Sequence, residues 1–173
     1  MRRVLAFLLI IAAFSFTFTA CGTDKVKDID VDAVVNEIVE KYKLTEGSLY
    51  TSSSDVLGEY LDEDLIISCY GDAAEYPDFS KVEKYCVYMD ESNPKVITDV
   101  GIFKMKDTSY SDTLMKYIQA RIDTKIADCV AYPDIDVETL KKAVVRQKGS
   151  YVYYAVSPDV DDIISDIEKA FGK

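Results

Sequence analysis

The chain has 173 residues, 49% of them hydrophobic, and 20 Lys+Arg against 31 Asp+Glu, for a formal net charge of −11. That balance argues against nucleic-acid binding, which needs a basic footprint. The complete absence of His excludes Ser-His-Asp and Cys-His catalysis and the common zinc sites, and the absence of Trp weakens a sugar-stacking role.

Residues 1–21 decide where the rest of the chain sits. Arg2 and Arg3 form a short basic stretch, residues 4–18 (VLAFLLIIAAFSFTF) carry no charge, and Thr19-Ala20-Cys21-Gly22 puts small residues before a cysteine. This is the layout of a secretory signal closing on a lipobox, with Phe18 where Leu is usual. The apolar run is shorter than the roughly 20 residues a bilayer span requires. Cleavage before Cys21 and lipidation of its sulfur are expected; an uncleaved N-terminal anchor is the alternative. Both readings put the remainder outside the cytoplasm, on the cell membrane. The expected organisation is a signal peptide at 1–20, the lipidated Cys21 with a tether over 21–30, and one domain over 31–173. Removing 20 leader residues from 173 leaves 153, a natural size for one domain with a core. Arg2 and Arg3 leave with the leader, so 18 Lys+Arg face 31 Asp+Glu, a net of −13. Membrane contact is therefore expected through the lipid rather than a polybasic grip.

Along the domain, Val31, Val34, Val35, Ile38 and Tyr42 repeat at helical spacing, with Asp30 as N-cap, and predict a helix over 31–42. Asp28, Asp30 and Asp32 invite a calcium-loop reading. An EF-hand beginning at Asp28 would need Gly at 33 and Glu at 39, where Ala33 and Val39 stand. Residues 43–54 read as loop. Short helices are predicted over 54–61 and 62–70, the second stopped by Gly71. Strands follow over 82–89 and 96–105, separated by the polar turn 90–95.

A long helix is predicted over 109–130 from the stripe Leu114, Ile118, Ile122, Ile126 and Val130. A helical turn over 134–140 leads to a hairpin, 143–147 and 151–156, around a two-residue type II′ turn at Gly149-Ser150. That turn pairs 147 with 152, 145 with 154 and 143 with 156. Ser157 as N-cap and Pro158 at the first helical position open a last helix, whose apolar face is Val160, Ile163, Ile164, Ile167 and Phe171. The expected fold is α+β: an antiparallel sheet of about four strands with two long helices on one face, strand–strand–helix occurring twice, plus N-terminal helices. Cys69, Cys86 and Cys129 lack CxxC spacing, and buried thiols are the favoured reading.

The lipobox, the acidic tether, Tyr70-Gly71, the strand end at 101–107 (GIFKMKD) and the tail at 142–152 (KAVVRQKGSYV) carry a resemblance. Together they resemble a family of small lipoproteins of Gram-positive anaerobes that is defined only as a domain of unknown function. The resemblance implies location and an α+β fold, and no activity or functional residues.

Two function classes compete. One is a non-catalytic binding or interaction module of the cell envelope. Its surface would be the second hairpin face, where Arg146, Lys148, Tyr151 and Tyr153 stand together if no helix covers them. Ordinary cross-strand pairing explains the same residues. The other class is a hydrolase using carboxylates or a divalent metal, with weak candidates in Asp159, Asp161, Asp162 and Asp166. Those aspartates equally suit the first turn and solvated face of a helix. A structural part of an envelope complex is a third possibility. No cofactor is expected, and the partner is an envelope protein or a small ligand.

Overall fold

The structure, a computed structural model, describes residues 26–72, 74–90, 92, 97–130 and 137–172. Cys21, the signal peptide and most of the tether lie outside the described residues. Five strands form one antiparallel sheet: β1 (Ser48–Thr51), β2 (Val82–Asp90), β3 (Thr98–Met105), β4 (Val144–Lys148) and β5 (Tyr151–Val156), in the order β1-β2-β3-β5-β4. Among the described residues, five α-helices pack around it: α1 (Val31–Lys41), α2 (Glu63–Tyr70), α3 (Ser111–Val130), α4 (Val137–Lys141) and α5 (Val160–Ala170). None of the described helices is long and apolar enough to cross a membrane.

The α+β reading holds, and several details differ. The sheet has five strands, because Ser48–Thr51 pairs with β2 as an edge strand where loop was expected. Residues 54–61 form turns rather than a helix; Thr51 N–H donates to the Glu59 carbonyl (2.8 Å), closing the segment on itself. Most consequentially, helices cover both faces of the sheet. Tyr70, Val87, Phe103, Val152, Tyr154 and Val156 build one core with α2, α3 and α4. Cys86, Val100, Ile102, Tyr151, Tyr153 and Ala155 build the other with α1 and α5. All six residues of β5 are buried, the signature of a strand packed on both sides.

The caps follow sequence chemistry. The Asp30 carboxylate accepts from Asp32 N–H and Ala33 N–H at the start of α1, and the Asp62 carboxylate accepts from Leu65 N–H (2.8 Å) at α2. Asp32 accepts from the Thr51 hydroxyl (2.6 Å), and Asp28 pairs with Lys104 (3.0 Å), so these aspartates serve caps and links. The last helix begins at Val160. The expected cap is therefore displaced: Asp159, not Ser157, holds the N-cap place, without a side-chain cap bond. Ser157 and Pro158 sit in the turn before it, where the Ser157 carbonyl accepts from Val160 N–H (3.2 Å) and its hydroxyl from Asp159 N–H (3.1 Å). The hairpin has the predicted register, 147 with 152 and 145 with 154, and Gly149 has φ +59, as a type II′ turn requires.

The chain enters the domain at the hairpin end of the sheet, where Val82, Met105 and the Gly149-Ser150 turn lie. Lys27 N–H donates to the Phe171 carbonyl (3.2 Å) and Ile29 N–H to the Tyr151 hydroxyl (3.1 Å). Val26 packs on Gly149, where an added Cβ would come within 2.9 Å of it. Asp90, Thr98, Asp99 and Val156 mark the opposite end.

Candidate functional site

The hairpin does not present the expected patch. Tyr151 and Tyr153 are each 2% exposed, roofed by α1, α5 and Phe171 at ring distances of 5.0 and 5.3 Å. The Tyr153 hydroxyl donates to Glu168 (3.1 Å), and burial, with Glu168 adding, pushes its pKa up to about 12. Arg146 pairs with the same carboxylate (2.7 Å), and Lys148 lies 5.7 Å from the Phe171 ring centre. The patch required that no helix cover this face, and that condition is not met. Packed on this side, α5 covers it.

Nor do the four aspartates converge. Asp159, Asp161 and Asp162 are exposed around the first turn of α5. Asp166 is engaged by Lys41, Lys169 (2.9 Å) and the Tyr42 hydroxyl (2.9 Å). Lys41, then Lys169, hold its carboxyl down at about 2. No group of three or more potential metal ligands occurs among the described residues. Cys86 and Cys129 are buried thiols; burial pushes both pKa values up, so neither is a ready thiolate.

A buried charged cluster stands out at the opposite end of the sheet. In β3, Asp99, Gly101, Phe103 and Met105 alternate toward α2 and α3, so Asp99 points into that core with 4% of its side chain exposed. It accepts from the Tyr154 hydroxyl (2.6 Å) and from Arg121 Nε (3.2 Å) on α3. The Tyr70 hydroxyl, at the end of α2, lies 3.1 Å from that of Tyr154. Arg121 also donates to the Cys69 carbonyl (3.2 Å) and lies 5.7 Å from the Tyr70 ring centre.

Gly101 makes this arrangement possible. It pairs with Tyr154 in the register, and an added Cβ would come within 2.4 Å of the Tyr154 ring. Burial alone would lower the Arg121 pKa, but the Asp99 carboxylate overrides it and the guanidinium stays charged. Burial, reinforced by Asp99, pushes both phenols well up, so they stay protonated.

This cluster floors an open cleft of about 460 Å³ between α2 and α3. Tyr70 and Arg121 form the floor; Asp72, Glu75, Tyr117, Thr124, Lys125 and Asp128 stand around it. Neither Asp99 nor Arg121 was singled out from sequence. The available signals were a lone carboxylate in an apolar strand (VITDVGIF) and an Arg between Ile118 and Ile122 on the apolar side of a helix. Nothing in the sequence joins residues 22 positions apart.

No curated protein and no solved structure matches the chain. Residues 78–157, running from just before β2 through β5, match the model of a domain of unknown function (DUF4358).

Proposed function

We propose that this is a lipid-anchored, extracytoplasmic lipoprotein whose domain binds a partner and catalyses nothing, with the α2–α3 cleft as its binding site. The leader supports the location: a basic start, an uncharged apolar run and a small-residue approach to Cys21. The observation that carries the binding role is the charged floor of the cleft. A buried ion pair with two buried phenols is a rigid polar base. The Arg121 charge is matched by Asp99 beneath it, so the surrounding carboxylates of Asp72, Glu75 and Asp128 outnumber Lys125 and favour a positively charged group on the ligand, and Tyr117 offers it an aromatic face. Such a ligand is an envelope protein segment or a small molecule bearing an amine.

The test is affinity capture of the full chain from crosslinked membranes, read by mass spectrometry, beside the variant Thr124→Ala plus Asp128→Asn. Both positions are exposed, so the fold is retained. A partner captured by the parent and lost from the variant is expected. Identical capture by both would remove the cleft from the account.

A further inference from the structure

We infer that the hairpin end of the sheet is a membrane-docking surface, which rests on the anionic bilayer holding the anchor and inserts the Val56-Leu57 tip at its headgroup level. The inference rests on the lipid-anchor reading and adds an orientation and a contact surface to it. Three observations converge on this end.

The first is reach. Val26 packs against Gly149, and five peptide links separate it from Cys21. Fully extended, they span at most about 18 Å. The eight residues of β3 alone cover about 26 Å along the sheet. A lipid on Cys21 therefore keeps the hairpin end near the bilayer and leaves the α2–α3 cleft, at the Asp99 end, facing away.

The second is an exposed apolar tip. Leu57 is 78% and Val56 53% exposed; with Tyr76 they are the exposed large hydrophobics among the described residues. The loop carrying them leaves β1 after Thr51, heading toward the Val82 end of β2: Thr51 is paired with Cys86, and Ser52 N–H donates to the Tyr85 carbonyl (3.0 Å). Its backbone is tied at Glu59, whose N–H donates to the Val56 carbonyl (3.0 Å). Gly58 turns the chain at φ +90, and no atom of the described residues lies within 4 Å of an added Cβ, so the tip stands clear of the described part of the domain. Asp55 and Glu59 flank the tip and are exposed, so insertion is confined to the Val56 and Leu57 side chains while these two carboxylates stay in water.

The third is charge. Lys27, Lys84, Lys106 and Lys148 lie at this end, and none of them makes an ion pair among the described residues. Asp90, Asp159, Asp161 and Asp162 lie at the other end. The carboxylates that share the hairpin end, Asp28, Glu83 and Asp107, are paired with Lys104 and Lys81, so these four lysines are a local cationic supplement to the lipid on a chain of net charge −11.

The chain contains no Trp, so a single introduced Trp is a unique fluorophore. The lipidated full chain carrying Leu57→Trp, and separately Asp161→Trp, would be reconstituted into phosphatidylglycerol vesicles with brominated acyl chains. Loss of L57W emission, with a blue shift, is expected beside unchanged D161W emission. Sedimentation of the same vesicles reads the anchor separately. Chains that sediment with L57W no more quenched than D161W overturn the docking surface and leave the anchor standing. Chains that stay in the supernatant overturn the anchor and the docking surface with it.

Discussion

Gly101→Ala adds one methyl group and strikes the centre of the cleft floor. The new Cβ would lie 2.4 Å from Tyr154 Cε1 and 3.1 Å from two further ring atoms, against an ordinary contact of 3.4–4 Å, so the ring must move by about 1 Å. It has little freedom to do so. Its hydroxyl is held by Asp99 at 2.6 Å and lies 3.1 Å from that of Tyr70, and its ring stacks on Phe103 with centres 6.3 Å apart. Overpacking costs about 1–3 kcal/mol, and loss of a hydrogen bond to a buried charge about 1.5–3. Replacing a strand glycine returns about 0.5–1 kcal/mol, leaving a net loss of about 2–5. In a domain of this size that lowers Tm by on the order of 10 °C, measured by calorimetry or circular dichroism. In a Tyr154→Leu background the same substitution should cost less than about 1 kcal/mol, since the obstructing ring is gone. Equal losses in both backgrounds, or a neutral G101A, would refute the close approach of Tyr154 over Gly101.

Other outcomes follow from the same contacts. Arg121→Met leaves Asp99 without its buried cation and should cost about 3–5 kcal/mol in urea denaturation; adding Asp99→Asn should recover a large part of it. Asp166 has its pKa depressed to about 2 from 3.8, so its contribution is complete above pH 3.8 and lost as pH falls toward 2. Its lysine partners are 58% and 66% exposed, which discounts that contribution to about 1 kcal/mol. Asp166→Asn should therefore lower stability at pH 7 and converge on the parent as pH falls through 2, read by denaturant titration across that range. Ser111 Oγ is buried without a hydrogen-bond partner among the described residues, so Ser111→Ala should stabilise by up to about 1 kcal/mol, measured as a rise in urea midpoint.

Most elements were legible because their own residues carry the pattern. The Val160 to Phe171 stripe, the Ser109 to Val130 periodicity and the Gly149-Ser150 turn each needed only local chemistry. β1 was not legible: four residues are too few for alternation to show, and only pairing with β2 makes Ser48–Thr51 a strand. The two-sided burial of the sheet shows in the sequence only at Tyr151–Val156, which has no polar alternate positions; the helix placement that covers both faces is tertiary. A one-sided sheet would leave Tyr151 and Tyr153 open; with α1 and α5 on that face both are buried. The Asp99–Arg121 pair was hidden for a different reason. Each residue is ordinary in its own segment, and its meaning comes from the tertiary approach of α3 to β3 across the Gly101 gap.

The central claim is that the domain is carried on a lipid at Cys21. Its most direct test is intact-mass spectrometry of the full chain recovered from membranes, with detergent phase partitioning of the parent and Cys21→Ser. A chain beginning at Cys21, heavier by a diacylglyceryl group and lost from the detergent phase in C21S, is the result the account requires. A chain still beginning at Met1, carrying no lipid and partitioning identically in both forms, would contradict it.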